Sequence, residues 1–542
     1  MRPIILAALI VAITTCTTAV RPAPRAIETT AGDRPSLIVL LVVDQMRTDY
    51  LERALPQFTS GLKRLTAEGA WFKNAAYPYL NTITCAGHST IGTGAFPYRH
   101  GMVLNTWWDR TTARSRACTA DSTARNIGYS GIASGGDSAA SLRVPTLADQ
   151  VRERAQARVV AMSLKPRSAI TLSGRHPTSV VWFDDRAGWA TSSAFTAEKL
   201  AWLSAFIDSR PASQDVGAVW NRLLPEAQYS GSDKGVGERS PQGWTTSFPH
   251  VLGKSAGSEF NLQWQRSPFA DEYLGRMAAA SVDALGLGKG TGTDLLAVSF
   301  STLDLVGHQF GPASHEVQDV VLRLDRTIGA LLDHLDAVVG RGRYVVALGA
   351  DHGVGALPEQ TGGGRQSGDQ VLAAIDRALA PYFGPGRHAV YSGYTDIYLA
   401  PGVLDKLKKN HSATAAMLDA LRDLPALADA FLADEISGPE MRTSTDPVKR
   451  AAALSYYPGR SGDLIIVPKE NWMLSASSAT THGTLYRYDQ RVPVLFYGSG
   501  VPAGVHHDPA TPADIAPTLA GLAGVKFDRM DGTPLLTAWV PR

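Results

Sequence analysis

The chain has 542 residues, of which 44% are apolar and 19% charged, so it can build a large core and general disorder is excluded. Its length allows three or four domains, or one large α/β core that carries insertions. Lysine and arginine number 52 and aspartate and glutamate 50; the net charge of +2 offers no general basis for binding nucleic acid or an anionic membrane. We therefore expect no nucleic-acid partner, and any anion must be bound locally.

The N-terminus has the pattern of an export signal. Arg2 precedes an apolar run at residues 4–13, and small polar residues follow as far as Ala19. Ten residues cross only about half of a hydrocarbon layer of roughly 30 Å, which favours a removed signal over a transmembrane span. We predict a signal peptide at residues 1–19 and a periplasmic or secreted protein. Lipidation at Cys16 is the less favoured alternative, because residues 13–15 match a lipobox poorly.

Two cysteines, Cys85 and Cys118, remain once the signal is removed. An oxidising compartment would allow them to form a disulfide, whereas two buried free thiols are the alternative. The sequence leaves both possibilities open.

Five short apolar runs end at or near a polar residue and predict buried β-strands. They lie at residues 37–43, 158–162, 295–300, 344–348 and 492–497. Continuous apolar strands of this length are typical of a parallel sheet that is buried on both faces. Between the third and fourth runs, apolar residues recur every three or four positions from Val317 to Val338 and predict a helix. Strand, helix and strand together indicate a βαβ unit.

This pattern predicts an α/β fold with a doubly wound, mostly parallel sheet, helices on both faces and two inserted cap segments. Ligands of such sheets bind beyond the carboxyl ends of the strands, where Asp44, Asp304 and Asp351 fall. The predicted segments are core residues 34–171, an insertion at 172–290, core residues 291–355, a second insertion at 356–475, and core residues 476–542.

Three histidines accompany these carboxylates in or near glycine-containing turns. Taken singly, each residue has a simpler structural role, such as a helix N-cap for Asp44 or Asp304. Taken together, three imidazoles and three carboxylates can fill two adjacent divalent sites, and this mixture of nitrogen and oxygen suits zinc better than magnesium or calcium. The candidate ligands are Asp44, Asp304, His308, Asp351, His352 and His482.

A nucleophile is predicted in residues 80–94, where an extended segment gives way to a helix with Thr84 near its first turn. The exposed N–H groups and positive dipole end of a helix favour a phosphate, and a nearby metal would deprotonate the hydroxyl. Thr84 could instead be an ordinary N-cap. Local chemistry leaves four hydroxyls open as the nucleophile: Thr82, Thr84, Ser89 and Thr90.

Several motifs in chain order resemble the alkaline phosphatase superfamily, in the branch that holds nucleotide pyrophosphatases/phosphodiesterases and PafA-like alkaline phosphatases. Thr84-Cys-Ala-Gly-His88, with Thr93-Gly94, Pro97, His100-Gly101 and Asn105, resembles its nucleophile segment. Its metal and C-terminal motifs are similar to residues 304–308, 351–353, 481–483, 514–519 and 531–535. The resemblance covers roughly residues 36–536.

The resemblance implies a role for each of these residues. The nucleophilic threonine of the family lies four residues before a histidine, which selects Thr84, and Asn105 would contact a phosphoryl oxygen. Two Zn²⁺ ions are implied, the first held by Asp304, His308 and His482. The second would be held by Asp44, Asp351 and His352, with the Thr84 hydroxyl beside it.

Residues 163–167 distinguish the branches, because PafA-like monoesterases resemble this segment in having a Lys-x-Arg pair that contacts phosphoryl oxygens. In an extended chain Lys165 and Arg167 would project to the same side, and Pro166 would end regular sheet pairing. A monoester carries one more negative charge than a diester, and two added cations match that difference. The alternative is a solvated turn.

The resemblance therefore implies an exported, zinc-dependent alkaline phosphatase that hydrolyses small phosphate monoesters through a phospho-threonine. A phosphodiesterase or nucleotide pyrophosphatase of the same superfamily is the first alternative. A non-catalytic, metal-binding exported protein is the second, and the complete set of nucleophile, ligands and cations argues against it. The C/S-x-P-x-R motif of sulfatases is absent, since Ala-Gly-His follows Cys85 and Thr-Ala-Asp follows Cys118.

Overall fold

The computed structural model of the protein describes residues 34–475 and 477–535. The predicted signal peptide and Cys16 lie outside the described residues, as does the end of the last predicted core segment. Within these two ranges no helix combines the length and the apolar character needed to cross a membrane.

The described residues form twenty strands: β1 Leu37–Val43, β2 Ala70–Phe72, β3 Thr106–Asp109, β4 Arg114–Ala117, β5 Asn126–Gly128, β6 Val159–Ser163, β7 Ser179–Asp184, β8 Gly188–Ser192, β9 Val219–Trp220, β10 His250–Val251, β11 Asp294–Phe300, β12 Tyr344–Gly349, β13 Gly364–Arg365, β14 Ala389–Gly393, β15 Asp396–Leu399, β16 Leu427–Leu432, β17 Leu464–Pro468, β18 Trp472–Met473, β19 Val494–Gly498 and β20 Gly504–His506.

The same ranges form nineteen α-helices: α1 Thr48–Ala54, α2 Gly61–Glu68, α3 Thr84–Thr93, α4 Pro97–His100, α5 Leu147–Ala155, α6 Pro166–Ser173, α7 Ala201–Ser209, α8 Ser258–Gln265, α9 Pro268–Leu285, α10 Thr302–Phe310, α11 His315–Leu335, α12 Pro358–Thr361, α13 Gly368–Phe383, α14 Val403–Lys409, α15 His411–Arg422, α16 Ala433–Ile436, α17 Pro447–Ser455, α18 Arg487–Gln490 and α19 Ile515–Leu522.

A ten-stranded sheet forms the centre of the molecule, in the order β20-β2-β19-β12-β1-β11-β6-β7-β8-β5. At its middle, β1 pairs in parallel with both β11 and β12, and β11, β6 and β7 continue the parallel arrangement. Every residue of β1, β11 and β12 is buried, so both faces of the sheet are covered, as continuous apolar strands require. The predicted α/β fold is confirmed, and so is the helix α11 between β11 and β12.

The fifth predicted strand differs from its neighbours in direction. β19 pairs antiparallel with β12 and with β2, and β8 and β5 are also antiparallel at the other margin. The chain reaches β19 from the carboxyl-end edge of the sheet, through the short helix α18. Without a long crossover to return it to the opposite edge, it must run back across the sheet.

The first predicted insertion, residues 172–290, is part of the core at both of its ends. Its early segment supplies β7 and β8 to the central sheet, and its last helix, α9, packs against α11 and β11. The part that lies outside the sheet layers therefore begins after β8 and ends before α9. The boundary predicted at residue 172 was placed too early, because β7 is apolar enough to be a sheet strand and was not recognised as one.

The second predicted insertion, residues 356–475, has a core of its own. β14, β15, β17 and β16 form a separate four-stranded antiparallel sheet. Helices α13 and α15 pack on this sheet through a distinct buried cluster that includes Ile375, Leu407, Met417 and Ile466. This small unit meets the main body at the nucleophile segment, where its β14–β15 hairpin contacts residues 81–104.

Candidate active site

Three carboxylates meet at the carboxyl-end edge of the central sheet. The register of β1 against β11 and β12 brings Asp44, Asp304 and Asp351 together, because each residue follows the end of one of these adjacent strands. The Asp44 N–H donates to the Phe300 carbonyl at 2.9 Å, which extends the ladder to the first carboxylate. All three aspartates are almost completely buried.

Three imidazoles surround these carboxylates, and each has its Nδ1 atom beside a backbone carbonyl. The Nδ1 atom of each ring lies within hydrogen-bond distance of a backbone carbonyl: His308 of Thr480 at 2.8 Å, His352 of Gly353 at 3.0 Å, and His482 of Thr82 at 2.9 Å. A proton held at Nδ1 leaves the Nε2 lone pair free for a metal ion, which is the usual second interaction of histidine ligands.

The Nε2 atoms of these rings face the carboxylates. His308 Nε2 is 3.2 Å and His482 Nε2 3.6 Å from Asp304 Oδ1. His352 Nε2 is 3.2 Å from Asp351 Oδ2 and 3.5 Å from Asp44 Oδ1. The six predicted ligands therefore lie in one cluster, and His352 stands between the two implied groups, because it also lies beside Asp304 and His482.

His88 also reaches this cluster, although we did not predict it as a ligand. Asp44, His88 and Asp351 offer atoms within 4.8 Å of one another, as do Asp304, His352 and His482. The Nε2 atom of His88, however, lies 2.7 Å from Ser299 Oγ, and its Nδ1 lies 3.0 Å from the Thr84 carbonyl. Because both nitrogens are engaged, we interpret His88 as a residue that positions α3 against Asp351.

The donor set fits divalent metal ions. Asp44 Oδ1 and Asp351 Oδ2 are buried and have no hydrogen-bond partner, a costly arrangement for carboxylate oxygens unless a cation binds there. Three buried carboxylates also need positive charge, and Lys165 supplies part of it by an ammonium contact with both Asp44 and Asp304. A mixed shell of imidazole and carboxylate is the kind of ligand set that zinc uses.

The electrostatics of the cluster follow from burial and from these neighbours. Burial and the nearby carboxylates raise the pKa of Asp44 to about 6. Burial alone would lower the pKa of His352, but Asp351 and Asp44 raise it to about 9. For Asp351, burial opposes ionisation, yet His352 and His88 hold its pKa well below the ordinary value. The site thus stores negative charge that a cation would stabilise.

Thr84 is the first residue of α3, all ten residues of which are buried. Its Oγ1 lies 3.4 Å from His352 Nε2. The other three candidate hydroxyls are engaged within the fold: Thr82 Oγ1 donates to the Thr484 carbonyl, Ser89 Oγ donates to the Cys85 carbonyl, and Thr90 Oγ1 bonds to Tyr79 and His100. Thr84 is therefore the one of the four whose hydroxyl faces the cluster.

Asn105 and the cysteines form one unit beside Thr84. The Cys85 N–H donates to Asn105 Oδ1 at 2.8 Å, so the carbonyl end of this side chain is committed to the first turn of α3. Cys85 and Cys118 are joined by a disulfide, with their Cα atoms 6.8 Å apart, which resolves the alternative that the sequence left open. The Cys118 N–H in turn donates to the Asn105 carbonyl at 2.9 Å. Both contacts fix Asn105 beside the first turn of α3.

The segment from Lys165 to Arg167 is not extended, which corrects our prediction of a two-residue alternation. Lys165 has extended dihedrals, but Pro166 begins α6, and Arg167 lies in the first helical turn. Proline suits this position because its N–H is absent and its φ is helical. Lys165 is buried at the two carboxylates, whereas Arg167 is half-buried and its Nε has no hydrogen-bond partner.

Gln45 is a site residue that sequence reasoning missed. Its backbone N–H donates to Asp351 Oδ1 at 3.0 Å and its side-chain amide to Asp304 Oδ1 at 2.7 Å, so it connects two carboxylates. It adopts a left-handed φ of 69°, which is rare for a non-glycine residue and concentrates at functional sites. The sequence hint was the glycine at position 307. Only a glycine leaves room for the Gln45 side chain there, because a Cβ would lie 1.8 Å from Gln45 Oε1.

Comparison with known proteins shows which family the chain belongs to. The family model for type I phosphodiesterase / nucleotide pyrophosphatase matches residues 38–489. The chain belongs to this family. It is 33% identical over 519 residues to alkaline phosphatase PafA of Elizabethkingia meningoseptica, covering 92% of this chain and 93% of that protein. It is 32% identical over 505 residues to alkaline phosphatase PhoV of Synechococcus elongatus, covering 91% of this chain and 90% of that protein.

The crystal structure of wild-type PafA matches with a TM-score of 0.84 at 30% identity, over 94% of this chain and 99% of that one. The predicted PafA-like branch of the alkaline phosphatase superfamily is thereby confirmed. The relatives likewise confirm the prediction of a phosphoric monoester hydrolase of the alkaline phosphatase type.

Proposed function

We propose that the protein is an exported, zinc-dependent alkaline phosphatase that transfers the phosphoryl group of a monoester to Thr84 and then to water. The observation that carries this proposal is the position of Thr84: its hydroxyl stands at the N-terminus of α3, beside His352, while every alternative hydroxyl is engaged elsewhere. A helix N-terminus favours the charge of the incoming phosphoryl group.

Two zinc ions would be held by the two groups of ligands. Asp304, His308 and His482 would hold one ion, and a second set, Asp44, Asp351 and His352, would hold the other. When bound, the ions would supply positive charge to the phosphoryl oxygens and lower the pKa of a coordinated hydroxyl. The buried, unpartnered carboxylate oxygens and the free Nε2 atoms support this assignment.

The remaining residues bind and orient the phosphoryl group. Asn105 would donate its amide N–H to one phosphoryl oxygen, because its carbonyl end is already held by Cys85. Lys165 would exchange its contacts with Asp44 and Asp304 for a contact with the phosphoryl group once metal ions neutralise these carboxylates. Arg167, which has no carboxylate within 4 Å in the described part of the chain, would supply the second cation.

A phosphodiesterase or nucleotide pyrophosphatase is the second candidate, and the description of the matching family favours it. The two functions differ in the charge of the substrate. A monoester dianion gains from both Lys165 and Arg167, whereas a diester carries one charge fewer and has a second substituent in place of an oxygen. The presence of both cations at the site is our reason for preferring the monoesterase, with small phosphate monoesters as substrates.

Export is supported by two features that are independent of the site. The apolar run at residues 4–13 follows a positive charge, and the disulfide between Cys85 and Cys118 is the kind of bond that persists in oxidising compartments. We propose a periplasmic or secreted location on these grounds.

Trapping of the phosphorylated enzyme tests this proposal. The purified protein is mixed with an aryl phosphate and quenched in acid during turnover, and the modified peptide is identified by mass spectrometry. We expect phosphate on Thr84, together with two zinc atoms per chain by elemental analysis. Phosphate on Ser89 or Thr82, or full turnover by metal-stripped protein, would contradict it.

A further inference from the structure

The second insertion contacts the nucleophile segment through the turn of its β14–β15 hairpin, which consists of Tyr394 and Thr395. Thr395 Oγ1 donates to Asn81 Oδ1 at 2.8 Å, and Asn81 Nδ2 donates in return to Asp396 Oδ2 at 3.3 Å. Thr395, Asn81 and Asp396 are buried. These hydrogen bonds attach the turn to the segment that leads into Thr84 at the start of α3.

Tyr394 has an unusual backbone conformation for an aromatic residue. Its φ is 64°, and it is the one residue of the two-residue turn with a positive φ. Hairpin turns of this kind favour glycine at that position, because a residue with a Cβ is strained there. Strained residues persist where the surrounding structure requires them, and they concentrate at functional sites. The ring of Tyr394 must then make contacts that a glycine could not make.

The ring packs against Gly483, which follows the proposed ligand His482. A Cβ on Gly483 would lie 2.7 Å from Tyr394 Cε1 and 3.0 Å from Ile83 Cγ2. Gly483 has a φ of 109° and no side chain, so the ring occupies the space that a side chain would take. Ile83 is the N-cap of α3, whose first residue is Thr84. The ring thus lies where the turn that carries His482 meets the start of the helix that carries Thr84.

Hydrogen bonds join the same two segments on both sides of Gly483. The Thr82 carbonyl lies 2.9 Å from His482 Nδ1, and the Thr82 hydroxyl donates to the Thr484 carbonyl at 2.8 Å. The Nδ1 contact fixes the orientation of the His482 imidazole, so this orientation depends on the distance between the two segments. A ring packed against Gly483 and close to Ile83 limits that distance.

We propose that Tyr394 is a positioning residue that the second insertion contributes to the active site. Its ring sets the orientation of His482 and the placement of the first turn of α3, and it acts through Gly483 and Ile83. The Tyr394 hydroxyl is buried and has no hydrogen-bond partner within residues 34–475 and 477–535, so the ring carries this role. The inference rests on the proposed role of His482 as a zinc ligand, and it gives the second insertion a part in the site.

Three substitutions separate the hydroxyl, the ring and the backbone of Tyr394. Tyr394→Phe keeps the ring and should behave as the wild type, because the hydroxyl has no partner. Tyr394→Ala and Tyr394→Gly remove the ring. Each should lower kcat for phenyl phosphate and speed the loss of zinc to EDTA by about 10–100-fold, the usual effect of removing a residue that supports a metal ligand. The effect on KM should be smaller, since the ring acts on the ligand turn and on α3.

Comparison of the two ring-deleting variants separates positioning from stability. Glycine adopts a positive φ without strain, so Tyr394→Gly should have a higher thermal midpoint than Tyr394→Ala. Its kcat and its zinc retention should nevertheless be as low as those of Tyr394→Ala. A purely structural role would instead make both losses follow the thermal midpoint.

Tyr382→Ala is the matched control. Tyr382 lies in α13 of the same insertion, and 42% of it is exposed. Its removal deletes one tyrosine ring from the second insertion at a distance in the chain from the hairpin turn. Its kcat, KM and rate of zinc loss should stay at the wild-type values.

Amide hydrogen exchange gives a readout that is independent of metal and turnover. In Tyr394→Ala and Tyr394→Gly, but not in Tyr394→Phe, peptides that cover residues 80–84 and 481–485 should exchange faster, while a peptide that covers β1 keeps the wild-type rate. Wild-type kcat and zinc retention in Tyr394→Gly, or equal losses in Tyr394→Phe and Tyr394→Gly, would overturn the proposal. A wild type without zinc and without turnover would contradict the proposed function instead, and the exchange rates would still decide whether the ring holds the two segments.

Discussion

The three ligand histidines share one arrangement that single residues cannot show in a sequence. In His308 and His482, Nδ1 lies within hydrogen-bond distance of a carbonyl from a distant part of the chain, whereas in His352 it lies beside the carbonyl of the following residue, Gly353. In all three, Nε2 is directed to a carboxylate. His308 depends on Thr480 for this orientation, and His482 depends on Thr82. The site is therefore built by long-range contacts that connect the two ends of the core with the nucleophile segment.

Substitution of Thr84 tests the nucleophile. Thr84→Ala should abolish the phosphorylated intermediate, because the hydroxyls of Thr82, Ser89 and Thr90 are engaged within the fold. Thr84→Ser should retain part of the activity, since it keeps Oγ and loses only the methyl group that restricts its rotamers. The measurement is acid-quenched phosphate incorporation together with kcat. Thr90→Ser is the control and should behave as the wild type; phosphate incorporation into Thr84→Ala at the wild-type level would contradict the assignment.

Removal of single ligands tests the two metal groups. Asp351→Ala and His482→Ala belong to different groups, so each should lower the zinc content below two per chain and reduce activity by several orders of magnitude. Elemental analysis and activity are measured on the same preparations. His334→Ala, a half-buried histidine that pairs with Asp283 away from the site, is the control. Two zinc atoms in both ligand variants would show that our assignment is wrong.

At the scale of elements, α3 is clamped in place by its neighbours. Gly87 permits close approach to the Asp351 turn, since a Cβ there would lie 2.1 Å from the Asp351 carbonyl. On the other side, the disulfide and Asn105 attach the first turn of α3 to the end of β4. The proposed nucleophile, Thr84, therefore stands on a rigid element rather than on a mobile loop, as a preorganised site requires.

The disulfide contributes to both stability and activity in this account. Cys85→Ala combined with Cys118→Ala should lower the free energy of unfolding by about 2–5 kcal/mol, because a closed loop is opened in the unfolded chain. The kcat/KM for a monoester should also fall, since Asn105 loses part of its support. Differential scanning calorimetry and kinetics check this, and reduction of the wild type should reproduce both effects. A variant with an unchanged thermal midpoint would contradict the stabilising role.

We expect the stability of the protein to depend on pH through Glu316, which lies at the contact between the first insertion and α11. Burial raises the pKa of Glu316 to about 8, and its Oε1 lies 2.8 Å from His250 Nε2. The folded protein thus keeps a proton that the unfolded chain loses near the ordinary pKa of 4.5. Stability contributed by the protonated form is complete below that value and is lost as the pH rises through about 8. Burial also raises the pKa of Glu238 to about 8, so this residue changes stability with pH in the same direction.

Glu316→Gln removes the titrating group and should reduce the loss of stability between pH 6 and pH 9 by at least ~1.4 kcal/mol, the equivalent of one pKa unit. Urea unfolding at the two pH values measures the difference. Glu440→Gln, at an exposed position, is the matched control and should leave the wild-type dependence in place. An identical pH dependence in Glu316→Gln and wild type would show that Glu316 is already ionised in the folded protein.

Across the whole molecule, local sequence patterns were sufficient to predict the central strands of the sheet. They were not sufficient to predict the strands near its two edges. The runs that form β1, β11 and β12 are apolar throughout, which is a sufficient signal for a strand buried on both faces. The direction of β19 depends on the edge of the sheet from which the chain arrives, and a short sequence window does not show it. β7 pairs with β6 and β8, which are close to it in the sequence, and its apolar run was not among the five predicted strands.

In the candidate site, too, some residues could be predicted from local patterns and others could not. The six proposed ligands and Thr84 lie near the ends of strands or in short motifs, so their types and spacing were informative. Gln45 has no such signal, because its role depends on a left-handed backbone and on the space left by Gly307. The helical turn at Arg167 was missed because Pro166 both ends a strand and begins a helix.

We propose that Lys165 and Arg167 make this site a monoesterase. Replacing both with alanine should cost monoester hydrolysis about a thousandfold or more, at roughly 1.5–3 kcal/mol per charge-assisted contact, while diester hydrolysis falls much less. The measurement is the ratio of kcat/KM for an aryl phosphate monoester to that for the matched diester, in the wild type and in the double variant. Zinc content and circular dichroism on the same samples control for loss of the fold.

We predict that the wild type strongly prefers the monoester and that the double variant loses most of that preference. A wild type that prefers the diester, with a ratio unchanged in the double variant, would contradict the account and establish the phosphodiesterase alternative.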